Sequence, residues 1–157
     1  MFEMLKSIEG SFDNPEVHEL LIKHFIELRS VSPEGSTHVL DIAGLKDPSI
    51  KFWSLWENND LMGSGALKFL DSQHGEFKSI RVNDKFRNNG YGLMVTSHLI
   101  EEAKKLNIKK LSLETGAGKF FVPARKLFVK SGFKISNPFS HYEVDINSVY
   151  MKKLIGN

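Results

Sequence analysis

The segment FRNNGYGLM, from Phe86 to Met94, places a fixed positive charge and two glycines directly before a run with helical apolar spacing. Gly90 and Gly92 carry no side chains, so a ligand can approach the peptide backbone closely. The free amides of a first helical turn and the helix dipole favour negative charge, and Arg87 adds a charged donor. Because a diphosphate would use all of these donors at once, the segment predicts a site for a diphosphate-bearing ligand.

Two other interpretations fit this segment less well. The glycines could merely shape a turn and leave Arg87 in solvent. A dinucleotide-binding fingerprint would use Glu114 as the acid at a later strand end, but it needs a third glycine where this chain has Val95. It also needs a tight turn directly after the strand, whereas seven residues separate Val82 from Gly90.

Hydrophobic periodicity indicates the elements that would hold this loop. Asn14 as a cap and Pro15 predict an amphipathic helix that ends before Pro33, and alternation of period two over 50–82 predicts three antiparallel strands. A helix is predicted from about Gly90 to Leu106, with Leu93, Ser97, Ile100 and Ala103 on one side. A strand KKLSLET, a helix VPARKLFVKSG and the strands FKIS and SVYMKKL follow.

The predicted order is strand, helix, a short helical turn, three strands, helix, strand, helix and two strands, beginning with a strand over about Met1–Ile8. This order predicts an α/β (α+β) domain spanning residues 1–157. Its single central sheet would be mixed, mostly antiparallel, of six to seven strands, and flanked by about four helices.

Two motifs carry a resemblance to a known family. RNNGYG resembles the R/Q-x-x-G-x-G/A motif of the GCN5-related N-acetyltransferases (GNAT), and ARKLFVKSGF is similar to the family's late A-x-x-L-Y-x-x-x-G-F segment. IRV sits where the family's coenzyme-binding strand lies. The segments THVLDIAGL, LSLETGAGKFF and PFSHYEVDINSVYMKK resemble an uncharacterised bacterial branch. The resemblance covers nearly the whole chain and implies a GNAT-like fold with acetyl-CoA as co-substrate.

The resemblance also implies which residues bind the coenzyme. Val82 would pair its backbone with the pantetheine arm, which would lie like an extra strand between two splayed parallel strands. Four basic residues could meet the remaining coenzyme phosphate, although a solvated helix face explains most of them; they are Lys119, Arg125, Lys126 and Lys130. The diphosphate would contact Arg87, Asn88, Asn89, Gly90, Tyr91 and Gly92.

Acetyl transfer to an amine needs a general base more than a general acid, since a free amine has a pKa of about 10.4 and a thiol one of about 8.5. Glu76 is the candidate base, because it lies on the strand entering the loop where the family often places a glutamate. Lys78 would share its face of the strand. A glutamate at its reference pKa of about 4.3 needs partial desolvation or a water chain to serve; an ordinary surface glutamate is the alternative.

The proton donor departs from the family pattern. The family commonly has a tyrosine in its second motif where this chain has Phe128, and Phe121 replaces an asparagine often found three residues before the motif's alanine. Tyr142 is the candidate acid, with a water molecule or unassisted departure of the thiolate left open. A tyrosine at the edge of the core is the commoner structural explanation.

The acceptor would be an amine of a small molecule or peptide. Glu114 and Thr115 end the strand after the coenzyme helix, the loop after the first helix contributes His38 and Asp41, and Lys78 completes the predicted set. An acidic lining would suit a cationic amine. Buried acids can instead cap helices or pair with basic side chains.

Composition excludes several other kinds of chemistry. The chain has no cysteine, which excludes an acyl group resting on a protein thiol, and its six histidines show no metal-ligand spacing, so no metal is predicted. Its balanced charges, with a net charge of +2, predict no nucleic-acid partner, and no apolar run approaches membrane-spanning length. We expect a cytoplasmic enzyme. Family members often dimerise, and Phe128 keeps open a non-catalytic acyl-CoA binding or sensing domain.

Overall fold

The computed structural model describes residues 5–33, 39–87 and 90–156. Within these ranges the chain forms one seven-stranded sheet, four α-helices and two 3-10 turns at Asp84–Phe86 and Lys119–Phe121. The strands are β1 Lys6–Glu9, β2 Ile50–Glu57, β3 Asp60–Phe69, β4 His74–Val82, β5 Lys110–Gly116, β6 Lys134–Ser136 and β7 Ser148–Leu154. The helices are α1 Pro15–Val31, α2 Ile42–Leu45, α3 Tyr91–Lys105 and α4 Val122–Lys130. The predicted fold class and element order are confirmed.

The sheet order is β1-β2-β3-β4-β5-β7-β6. Every neighbouring pair is antiparallel except β4 and β5, which run parallel and are joined through α3. A parallel pair requires such a crossover, so the start of α3 lies at the carboxyl end of β4.

The parallel strands β4 and β5 separate partway along their length. Their ladder runs from His74 paired with Lys110 to Phe77 paired with Leu113, although both strands continue beyond it. Ser79 has a φ of 55°, and the register between β3 and β4 shifts across the same point. A β-bulge of this kind bends its strand, and here the bend opens the sheet at the predicted splay.

Two apolar layers cover the two faces of the sheet. Helices α3 and α4 pack on one face through a core that includes Leu67, Leu99 and Leu113. Helices α1 and α2 pack on the other face, where Leu21 and Phe52 are buried. Side chains alternate along a strand. The residues of β4 and β5 that do not point toward α3 and α4 therefore point to the α1 face.

Helix α1 begins as its sequence requires, whereas the buried side of α3 differs in part from the predicted one. The side chain of Asn14 accepts hydrogen bonds from the amides of Glu16 and Val17 at 2.9 and 3.2 Å, as predicted for the start of α1. Of the four residues predicted on one side of α3, Ile100 and Ala103 are buried, whereas Leu93 and Ser97 are exposed. The residues buried along α3 are Val95, Thr96, Leu99, Ile100 and Ala103.

Candidate active site

A cleft of about 980 Å³ opens where β4 and β5 separate. Its walls come from the ends of both strands, the first turn of α3, helix α4 and the last turn of α1. Seven residues of the predicted site line it, and they are Lys78, Val82, Arg87, Gly90, Gly92, Glu114 and Thr115. The topology therefore brings the predicted coenzyme loop and part of the predicted acceptor pocket to one opening.

The glycine loop leaves its backbone accessible at this cleft. Gly90 caps α3 with a φ of 81°, and a Cβ built there would meet no atom of the described residues within 4 Å. Gly92 lies against Leu127, whose Cδ2 would be 3.2 Å from an added Cβ. The first turn of α3 contains no acidic residue, so its amide dipoles are available to an anion. Asn88 and Asn89 lie outside the described residues.

Two side chains of the loop are held by their neighbours. Arg87 is 43% exposed and pairs with Asp84, Nε to Oδ1 at 3.1 Å, and with Glu27, Nη2 to Oε1 at 3.5 Å. These contacts hold the guanidinium at the mouth of the cleft. Tyr91 packs edge to face on Phe86 with 5.5 Å between ring centroids, so its ring supports the loop.

Val82 lies beyond the last pair between β4 and β5. Gly63 on β3 pairs with Val82 along one edge of β4, while the opposite edge faces the cleft with no strand of the described part of the chain beside it. An extended ligand can pair with such an edge through main-chain hydrogen bonds. The opening therefore suits the predicted pantetheine arm.

The four basic residues predicted for the remaining phosphate divide into two groups. Arg125 donates from Nη1 to the carbonyl oxygens of Gly116 at 2.7 Å and Gly118 at 2.9 Å, so it fixes the connection between β5 and α4. Lys119, Lys126 and Lys130 line the cleft. They give this wall a positive charge that suits a phosphate.

The candidate base and acid are in direct contact. The hydroxyl of Tyr142 donates to Oε2 of Glu76 at 2.6 Å, and Nζ of Lys78 donates to the same oxygen at 3.2 Å and to the Tyr142 hydroxyl at 3.1 Å. The Glu76 side chain is 2% exposed, and its Oε1 is buried without a hydrogen-bond partner among the described residues. Of this trio, Lys78 is the member that lines the cleft.

Tyr142 is held in its protonated form. Burial raises the pKa of its hydroxyl well above the ordinary value, and the hydrogen bond to Glu76 and the charge of that carboxylate raise it further. A hydroxyl that keeps its proton and directs it at Glu76 orients the carboxylate. This arrangement favours a positioning role for Tyr142 over the predicted release of a proton to a thiolate, which stays a prediction.

The predicted acceptor residues are only partly brought together. Glu114 accepts a hydrogen bond from the Ser148 hydroxyl at 2.8 Å and, like buried Thr115, lines the cleft. Asp41 instead caps α2, accepting from the amide of Gly44 at 2.8 Å, and does not line the cleft. His38 lies outside the described residues.

A buried cluster that the sequence did not predict lies at the α1 wall of the cleft. Arg81 donates from Nη1 to Glu27 at 3.0 Å and from Nη2 to Asp84 at 3.1 Å, and its Nη1 is 3.4 Å from Nδ1 of His24. Burial, followed by the charges of Arg81 and Arg87, lowers the pKa of His24 to about 3. The signal that the sequence offered for this cluster was the charged Arg81 between the apolar residues Ile80 and Val82.

The chain departs from the family motif at Phe128 and Phe121, and both residues line the cleft. Phe128 packs edge to face on Phe133 at 5.9 Å between centroids and has no proton to give.

Across residues 5–33, 39–87 and 90–156, no group of three or more histidines and acids is arranged to hold a metal ion. Over the same ranges, no helix combines the length and apolar character needed to cross a bilayer.

Comparison with known proteins gives one consistent result. The model of the acetyltransferase (GNAT) family matches residues 14–133. The uncharacterized N-acetyltransferase YsnE of Bacillus subtilis is 44% identical over 138 residues, which cover 88% of this chain and 91% of the relative. A Bacillus subtilis acetyltransferase solved in complex with CoA superposes with a TM-score of 0.70 at 20% identity, over 96% of this chain and 99% of the other. A GNAT family acetyltransferase from Elizabethkingia anophelis, solved with acetyl-CoA bound, gives 0.67 at 20% identity over 98% and 100%.

The seven-stranded mixed sheet and its helices thus share the fold of acetyltransferases that were solved with CoA and with acetyl-CoA. The chain belongs to the acetyltransferase (GNAT) family. It is an N-acetyltransferase, as predicted from its two motifs.

Proposed function

We propose that the chain transfers an acetyl group from acetyl-CoA to an amine of a small molecule or peptide by direct attack in a ternary complex. The observation that carries this proposal is that the glycine loop and the gap between β4 and β5 open into one cleft. The lack of cysteine supports direct transfer, because no protein thiol can hold the acetyl group.

The donor would be held mainly by backbone groups. The amides at the start of α3 and the Arg87 guanidinium would bind the diphosphate, and Asn88, Asn89 and Tyr91 belong to the same proposed loop. The free edge of β4 at Val82 would pair with the pantetheine arm, which directs the thioester toward the bulge at Ser79. The lysines of the α4 wall would meet the remaining phosphate.

Glu76 would act as the general base through Oε1, the oxygen that has no hydrogen-bond partner among the described residues. Oε2 is occupied by Tyr142 and Lys78, whereas Oε1 is free to accept a proton. Because Glu76 does not line the cleft, the proton would pass from the acceptor amine through a water molecule. Tyr142 would keep the carboxylate oriented.

In the proposed reaction the acetyl group moves directly from sulfur to nitrogen. The uncharged amine nitrogen attacks the carbonyl carbon of the thioester, so a carbon–nitrogen bond forms and the carbon–sulfur bond breaks. The amine proton goes to Glu76, and the departing thiolate takes a proton from solvent. Lys78, Glu114 and Thr115 would line the acceptor side of this site.

A thiol-release assay with a panel of amines tests the proposal. We expect acceptor-dependent release of CoA, and we expect Glu76→Gln to reduce kcat by about a hundredfold or more, since a general base contributes at least that much. The matched control is Glu143→Gln, because Glu143 is an exposed acid of the loop that carries Tyr142. If no amine stimulates release, the non-catalytic acyl-CoA binding alternative is favoured.

A further inference from the structure

We propose that the cleft selects acceptors that carry a carboxylate, and that Arg81 and His24 bind it. This inference rests on the proposed acetyl transfer, because it names the class of acceptor used in that reaction. The residues form the α1 wall of the same cleft. The acceptor would therefore be an amino acid or another amine with a free acid group.

Arg81 is a buried cation with an unused donor. Its side chain is 2% exposed, and it lines the cleft. Nη1 and Nη2 donate to Glu27 and Asp84, whereas the buried Nε has no hydrogen-bond partner among the described residues. A buried donor without a partner is costly, so a site that keeps one is expected to gain a ligand that accepts from it.

His24 supplies a second donor beside Arg81. A guanidinium only donates, so the Nδ1 of His24 must be the acceptor in the 3.4 Å contact with Nη1. The remaining proton of the neutral ring then resides on Nε2, which donates. No hydrogen bond from Nε2 joins His24 to another described residue, and His24 also lines the cleft.

A carboxylate matches this pair of donors better than a neutral group does. Its two oxygens can accept from two N–H groups together, and the hydrogen bonds are strengthened by the charge of the guanidinium. Lys78 lies opposite Ala66 and Arg81 lies opposite Ser64, so both side chains point to the α1 face of the sheet. That face also carries Glu76, which places the carboxylate site and the proposed base on the same side.

The acceptor preference of the unchanged protein is the first test. Kinetics would be measured with α- and ω-amino acids of several lengths, each paired with its own carboxamide. We expect the best acceptors to be acids, with kcat/KM at least roughly tenfold above that of the matched amide, the difference lying mostly in KM. Equal use of acids and amides would overturn the inference while leaving the proposed function intact.

One variant of Arg81 and two variants of His24 then test these residues. Arg81→Lys keeps the positive charge but loses the Nε donor, so the ratio of kcat/KM for acid over amide should fall toward one, mainly through a rise in the KM for the acid. His24→Leu should weaken the preference and His24→Gln, which retains a side-chain donor, should restore it. A rise confined to the KM for acetyl-CoA in Arg81→Lys would instead assign Arg81 to the coenzyme.

A binding measurement tests the carboxylate site even if the protein acetylates none of the amines. The Nε–H resonance of Arg81 in the ¹⁵N spectrum, assigned by its loss in Arg81→Lys, would be followed during titration with butyrate and with butyramide. A saturable shift with butyrate alone supports the carboxylate site even if no amine is acetylated, and no shift with butyrate contradicts it. Should Arg81→Lys fail to fold, the acid-to-amide ratio of the unchanged protein and the His24 pair decide.

Discussion

The hydroxyl of Tyr142 lies 2.6 Å from Oε2 of Glu76, so the loop before β7 donates a hydrogen bond to a side chain of β4. The two residues are 66 positions apart in the chain. Lys78 contacts both of them, which makes the trio one hydrogen-bonded unit that reaches the cleft through Lys78. The loop that carries Tyr142 thereby becomes part of the proposed catalytic machinery.

Tyr142→Phe should reduce kcat by about tenfold, because Glu76 keeps its charge but loses the bond that orients it. In the double variant with Glu76→Gln, the loss should be no larger than that of Glu76→Gln alone, since residues that act as a unit are not additive. Steady-state kinetics with a good acceptor would measure both. Tyr150→Phe is the control, because the Tyr150 hydroxyl donates to the carbonyl of Glu143 at 2.7 Å and so holds the same loop. An equal loss in the control would assign the effect to loop docking.

The buried neutral His24 should make the fold sensitive to acid. In the folded chain His24 takes up a proton only near pH 3, whereas in the unfolded chain it does so near its ordinary pKa of 6.5. The unfolded state therefore binds more protons below pH 6.5, and stability falls as the pH falls. Between about pH 7 and pH 5 this difference amounts to about 2 kcal/mol.

Denaturant unfolding of the wild type and His24→Gln at both pH values measures the effect. The variant should show about 2 kcal/mol less loss on acidification, because glutamine does not titrate. Most carboxylates stay ionised over this range, so their contribution is common to both proteins. Parallel pH profiles of the two proteins would contradict a neutral buried His24.

Gly90→Asp should weaken coenzyme binding by about 30-fold or more, because it sets a negative charge against the diphosphate. Combining it with Arg87→Ala should weaken binding further. Gly10→Asp is a closely matched control, since Gly10 has a φ of 80° against 81° for Gly90 and a Cβ there also meets no described atom. Calorimetry with CoA should separate the two variants. Equal affinities would contradict a diphosphate at the loop.

Gly65 on β3 allows α3 to lie close to the sheet, and an added Cβ would clash with Cδ1 of Leu99. Gly65→Ala should therefore destabilise the protein by about 1–3 kcal/mol. Leu99→Ala alone should cost about 2–5 kcal/mol as a cavity. In the double variant the new methyl group enters that space, so we expect a total cost below the sum of the two. Strict additivity in urea unfolding would show that the contact does not determine the position of α3.

Patterns of local origin predicted the fold well. The cap at Asn14, the alternation along β4 and the glycine before α3 act over a few residues, and the structure has all three. The buried side of α3 was misjudged, because Leu93 fits a helical stripe by type but lies 42% exposed beside the cleft. Apolar residues at the edge of a binding cleft carry the same sequence signal as core residues.

The site could be predicted only where it depends on one strand or one turn. Strand alternation was enough to expect Glu76 and Lys78 on one face, and the loop motif was enough to expect Gly90 at a cleft. Asp41, predicted for the acceptor pocket, caps α2 and does not line the cleft, and an aspartate that begins a helical turn often caps it. Arg81 was missed because its burial depends on the packing of α1 across β4, and no local pattern carries that information.

A crystal structure of the protein with acetyl-CoA tests the central claim most directly. We predict that the diphosphate contacts the amides at the start of α3 around Gly90, and that the pantetheine arm lies between β4 and β5 beside Val82. A coenzyme whose diphosphate lies away from that helix start, or whose arm lies outside the gap between the strands, would contradict the account.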